Sequence, residues 1–161
     1  MRRALWFAFS LLTFDQLLKF SFQLFFHSDI YMFSENYGFR YIINPGILIN
    51  PKISLTTVAL FQIIQITSLL LVYNLMKFIK TKFNSGILLD ISFGFFATGL
   101  LGNLVIDRFL IGGIRDYFVT PIGIANFADL GSLIGLLLLI TELTVIFISA
   151  YFVKSKNKSY N

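Results

Sequence analysis

Asp116 and Asp129 are the residues of this chain whose type and placement point most directly to chemistry. Asp129 closes the string Asn126-Phe127-Ala128-Asp129, stands where a long apolar run begins, and follows Asp116 by thirteen residues. Carboxylates at a lipid boundary are costly to keep, so a pair of them asks for a reason. Two carboxylates that share one proton can activate a water for attack on a carbonyl. A competing structural account makes Asn126 and Asp129 a capping box over a helix start, with Asp116 a solvated loop charge. A cap needs no second carboxylate, whereas a dyad does.

The elements that must hold this pair are set by composition. The chain is 57% hydrophobic and only 13% charged, against about a quarter charged in soluble domains. Its apolar residues come in runs of about twenty, the length that crosses hydrocarbon as helix. Four spans emerge, at about 4–26, 53–76, 87–106 and 129–153, in one integral membrane domain covering 1–161. The expected fold class is therefore an all-α polytopic membrane protein with four transmembrane helices. Of the two outer segments, 27–52 and 107–128, the first carries Tyr31, Phe33, Tyr37, Phe39 and Tyr41 at alternate positions. That period predicts a small β-rich segment between helices 1 and 2, resting at the membrane surface.

Charge gives the orientation. Arg2 and Arg3 precede the first span, Lys77, Lys80 and Lys82 follow the second, and Lys154, Lys156 and Lys158 follow the fourth. The positive-inside rule then puts both termini and the central loop in the cytoplasm, so the net charge of +5 is a topology signal and not a nucleic-acid signal. The first span reads as a retained anchor and not a cleaved leader. There is no cysteine and a single histidine, His27, so thiolate chemistry is excluded and neither metal nor cofactor is expected.

Further polar residues interrupt the spans. Asp15 and Lys19, four apart, share a helix face and can pair, with the Lys19 ammonium within reach of the outer boundary. Gly99-Leu100-Leu101-Gly102-Asn103 ends the third span with two small residues that favour close helix contact. Asp107-Arg108 follows as an interfacial pair, and Asn44-Pro45-Gly46 has strong turn chemistry. Asn103 and Arg108 could orient a substrate backbone. Gln62, Gln65 and Glu142 lie within other spans and, with Asp15 and Lys19, could instead line a polar path.

Taken in order, these strings resemble the lipoprotein signal peptidases, or signal peptidase II. Asp15-Gln16-Leu17-Leu18-Lys19 resembles the family's first-helix Asp-Gln-x-x-Lys, and Asn44-Pro45-Gly46 its Asn-x-Gly turn. Gly99 to Asn103 with Asp107-Arg108 resembles its third-helix motif, Ile114-Arg115-Asp116-Tyr117 its Val-x-Asp-Phe, and Asn126-Phe127-Ala128-Asp129 its Asn-x-Ala-Asp. The resemblance implies an aspartyl endopeptidase of the bacterial inner membrane, active at its outer face. It would cut diacylglyceryl-modified prolipoproteins N-terminal to the lipidated cysteine, among membrane lipids, and be inhibited by globomycin-type compounds. It implies Asp116 and Asp129 as catalytic residues, with Asp15, Lys19, Asn44, Gly46, Gly99, Asn103, Arg108 and Asn126 supporting or contacting substrate. The alternatives are a catalytically silent lipoprotein-binding homologue and a small non-enzymatic transporter or assembly factor.

Three departures stand out. Leu104, Val105 and Ile106 put three residues between Asn103 and Asp107 where the family usually has two. On a regular helix that turns Asp107 by about 100° relative to Asn103 unless a bulge absorbs it. The interval from Asp116 to Asp129 is shorter than in many members, and Ile47-Leu48-Ile49 replaces the usual small-plus-Phe run.

Overall fold

Helices follow the apolar runs. The computed structural model of the chain describes residues 2–26, 30–45, 55–83 and 86–158. Within it α1 covers Arg2–Phe25, α2 Leu55–Phe83, α3 Ile87–Leu110 and α4 Phe127–Lys158. His27, Gly46 and residues 47–49 lie outside the described residues. Among the described residues three helices are long and apolar enough to cross a membrane, within Gln62–Phe83, Ile87–Leu110 and Phe127–Ser149. The second helix runs on past residue 76 to Phe83. Lysine is a good helix former, so charge marks where apolarity ends and not where the helix ends.

The outer segments build one antiparallel four-stranded sheet in the order β1-β2-β3-β4, with β1 Ile30–Met32, β2 Gly38–Asn44, β3 Ile114–Thr120 and β4 Gly123–Ala125. This corrects the expectation that β structure is confined to the segment between the first two helices. The second segment supplies half of the sheet, and Asp116 sits on a strand instead of in a solvated loop. β3 gave no alternation signal because both of its faces are covered: Arg115, Asp116 and Tyr117 are consecutive and all buried. Gly112, with φ of +82°, turns the chain from α3 into β3, a conformation that glycine adopts without steric cost.

Register decides which way Asp116 points. Ile42 pairs with Asp116 and Asn44 with Ile114, while a bulge on β2 separates Ile42 from the Phe39–Phe118 pair. Asn44 is thus a diagonal same-face neighbour of Asp116. Arg115 and Tyr117 take the opposite face of β3. Tyr117 stacks on Phe22 of α1 with centroids 4.2 Å apart and planes within 7°. Phe39 packs on Phe22 and Phe26, so aromatic contacts seat the sheet on the C-terminal end of α1.

The other end of the bundle is apolar. Ala4, Ala8, Met76, Ile79, Leu89, Phe93, Ala97 and Leu139 form its core. Asp90, fully buried there, pairs with Lys80 of α2 and lies 3.6 Å from Arg3 of α1, so two cations of the topology signal also clamp three helices. Close approach of α3 and α4 depends on glycine. A Cβ on Gly135 would stand 2.4 Å from the Phe96 amide nitrogen and 2.8 Å from the Ser92 carbonyl, backbone atoms that cannot step aside. Gly135→Leu should therefore lower stability by about 1–3 kcal/mol or more. Gly86→Ala, at a site with nothing within 4 Å, should leave thermal unfolding in detergent almost unchanged.

Candidate active site

The site is built outward from Lys19. Its side chain is wholly buried, and its ammonium lies 2.9 Å from Asp15 Oδ2, 2.9 Å from Asp107 Oδ2 and 2.7 Å from Asn103 Oδ1. Lys19 thus meets protein partners and leaves no surface exposed. A buried ammonium without such partners would cost several kcal/mol. Gly102 makes room for this pairing, because a Cβ there would fall 2.7 Å from Asp15 Oδ2.

The extra residue before Asp107 is absorbed by a π-helical turn over Leu101–Asp107. The Arg108 amide donates to the Asn103 carbonyl, five residues back instead of four. Asn103 and Asp107, four residues apart on one side of this turn, both face Lys19. Asp107 then reaches beyond its helix: its carboxylate accepts the Arg115 backbone amide at 3.1 Å and the Arg115 guanidinium at 3.0 and 2.5 Å. Arg115 also donates to the side-chain oxygen of Gln16. Lys19 and Arg115 carry two positive charges against the two negative charges of Asp15 and Asp107, so the buried cluster is balanced. Through Arg115 it fixes β3 next to Asp116.

The carboxylate pair lies on the other side of this cluster. Asp129, in the first turn of α4, accepts Asn103 Nδ2 on Oδ1 at 2.7 Å and the Asn126 amide on Oδ2 at 3.0 Å. Asn126 Oδ1 in turn accepts the Asp129 amide at 3.0 Å, closing a reciprocal capping box. The same Asn126 gives its Nδ2 to Asp116 Oδ1 at 2.7 Å, and Asn44 Nδ2 lies 3.2 Å from Asp116 Oδ2. Tyr117 completes the frame by accepting the Phe127 amide on its hydroxyl at 2.9 Å. Cap and carboxylate pair are therefore one structure.

Asp116 and Asp129 line a single open cavity of about 1230 Å³ with Asn44 and Asn126. Asp129 is exposed to it, while Asp116 is buried, at 3% exposure. Burial, and next the neighbouring Asp129 charge, push the Asp116 carboxyl up to about 7. The rest of the cavity wall is largely apolar, including Ile114, Ile122, Leu130 and Leu133.

Of the other expected site residues, Asp15, Lys19 and Asn103 form the buried support. Arg108 donates to the Pro45 carbonyl at 3.2 Å, tying α3 to the chain just past β2. Gly99 packs α3 on α4, where a Cβ would overlap Ser132 and lie 2.7 Å from the Ala128 carbonyl. Gly46 lies outside the described residues. Sequence reasoning missed Arg115, which falls at a variable position of its motif. Its one signal was a cation between an apolar residue and a candidate catalytic acid.

The chain is thus a helical membrane bundle whose sheet-capped end places two carboxylates on a largely apolar cavity. The family model for signal peptidase (SPase) II matches residues 7–153, and the chain belongs to that family of membrane proteases acting on lipoprotein precursors. Two solved structures, both described as bacterial membrane enzymes determined by the in meso method, share the fold. One, at 2.3 Å resolution, is 23% identical with a TM-score of 0.68, over 89% of this chain and 88% of its own. The other, at 1.9 Å, is 24% identical with a TM-score of 0.66, over 89% and 93%. No curated protein sequence gives a match.

Lys19→Met should destabilise the protein by about 3–5 kcal/mol, because Asp15 and Asp107 lose their shared cation inside the bundle. Adding Asp15→Asn should recover part of that loss, read as unfolding midpoint in detergent, because Asp107 keeps Arg115 while Asp15 has no other cation among the described residues. Additive losses would contradict the pairing.

Proposed function

We propose that this protein is an aspartic endopeptidase that cuts the signal peptide from diacylglyceryl-modified prolipoproteins, N-terminal to the lipidated cysteine. The observation that carries the proposal is the joint position of Asp116 and Asp129 on one cavity, each hydrogen-bonded to Asn126. Asp116, buried and with its carboxyl pushed up to about 7, holds a proton below that pH and is suited to donate it to the scissile carbonyl oxygen. Asp129, exposed to the cavity, takes the proton of the attacking water. The two carboxyls titrate as a pair carrying one proton between them.

The apolar wall formed by Leu130 and Leu133 suits the acyl chains of a lipidated substrate, leaving the peptide bond at the polar rim. In this reading α1 is a fourth span. Its 24 residues extend about 36 Å, and its two central charges are buried against protein partners. Both termini then lie in the cytoplasm of a bacterial inner membrane, with the sheet and the cavity at the outer face. Asn103 and Arg108 support the site, and globomycin-type compounds would compete for the cavity.

Purified protein should cleave a diacylglyceryl-modified prolipoprotein in detergent. Asp116→Asn and Asp129→Asn should each lower the rate at least about 10³-fold with helicity unchanged. Full cleavage by either variant would remove that residue from the chemistry.

The pH dependence follows from the sign of the Asp116 shift. A raised pKa keeps the acid neutral below about 7 and ionised above it. Ionisation removes the shared proton, so kcat/KM should fall roughly tenfold per unit on the alkaline side. A rate still rising through that range would contradict the assignment of Asp116 as the acid.

A further inference from the structure

We infer that Gln62 of α2 is a positioning residue that fixes the π-helical turn of α3, and through it the Asp129 carboxylate. The inference rests on the reaction proposed above. A π turn is an α-helix carrying one extra residue, and its location along the helix is not set by the helix alone. In a regular helix the Leu104 carbonyl would accept the Arg108 amide. That amide instead points to the carbonyls of Asn103 and Val105. Gln62 Nε2 is directed at the Leu104 carbonyl from the neighbouring helix, at a long 3.4 Å.

A backbone group released inside hydrocarbon needs such a partner, since no water is there to replace it. Gln65, one turn further along α2, lines the same narrow crevice beside Leu104 and Val105. Its buried Oε1 has no hydrogen-bond partner among the described residues. The two amides of an otherwise apolar stretch of α2 therefore converge on the one irregular turn of α3, which packing against lipid would not require.

Asn103 and Asp107, the α3 groups bonded to Lys19, both lie within the turn. If the irregularity shifts along the helix by a residue, one of them rotates by about 100° with respect to the other. Asn103 is also the donor to Asp129 Oδ1, at 2.7 Å. Loss of the Gln62 clasp is thus transmitted to Asp129 without touching the cavity.

The test compares the full-length protein, Gln62→Leu, a deletion of Val105, and the combination, on a diacylglyceryl-modified prolipoprotein in detergent. Gln62→Leu should lower kcat by about tenfold or more, with KM little changed. Deleting Val105 removes the extra residue and returns the Leu104 carbonyl to the helix ladder, so Gln62→Leu should have no effect in that background. Hydrogen exchange is the second readout: amides of residues 101–109 should exchange about tenfold faster in Gln62→Leu, and those of 87–97 at the wild-type rate.

Wild-type kcat in Gln62→Leu overturns the inference, as does an equal loss with and without Val105, or unchanged exchange over 101–109. If the wild-type protein cleaves nothing, the proposed reaction fails. The exchange pattern then still decides whether Gln62 holds the turn.

Discussion

The ammonium of Lys19, buried among Asp15, Asn103 and Asp107, is the interaction from which the rest of the polar end follows. A charge held in a membrane bundle must be paired and hydrogen-bonded, and each partner that meets this need imposes a further constraint. Asp15 requires the bare backbone of Gly102. Asn103 and Asp107, four residues apart on one side of α3, must both face one point, and they do so within a π turn. Asp107 in excess over Lys19 draws in Arg115, and with it strand β3. Asn103 extends its amide to Asp129. Both carboxylates of the site are therefore held by groups that answer to one buried cation.

This arrangement divides the molecule along its axis. One end is an apolar cluster closed by the Asp90 clamp, where glycine and alanine bring helices together. The other is a hydrogen-bonded polar network roofed by a sheet and opening on a cavity. Where the two acids meet, helix capping and the proposed chemistry use the same atoms. Asn126 closes the capping box with Asp129 and also reaches Asp116, so the two accounts of Asp129 are not rivals. A helix start that must be capped at the membrane edge is a place where a carboxylate can be held rigidly next to water.

Much of this was legible in the sequence because apolar runs and charge placement report directly on lipid exposure. The helices, the Asp15–Lys19 pair and the close contact at Gly99 and Gly102 are local or nearly local in the chain. The extra residue between Asn103 and Asp107 pointed either to an Asp107 rotated from the family's placement or to a bulge in the third helix, and a π turn is what forms. What was not legible depends on long-range pairing. β3 lacks alternation because both its faces are buried, so the second outer segment did not read as strand. Arg115 and Asp90 look like ordinary charges until the fold brings Asp107 and Lys80 to them.

Infrared titration of the carboxyl groups, comparing the wild-type protein with Asp116→Asn, tests the shared-proton pair most directly. One protonated carboxyl should be present in the wild type below pH about 7, disappear as the pH rises through that value, and be missing from the variant. Spectra identical for the two proteins across that range would mean that Asp116 is ionised throughout, and the pair would have no proton to share.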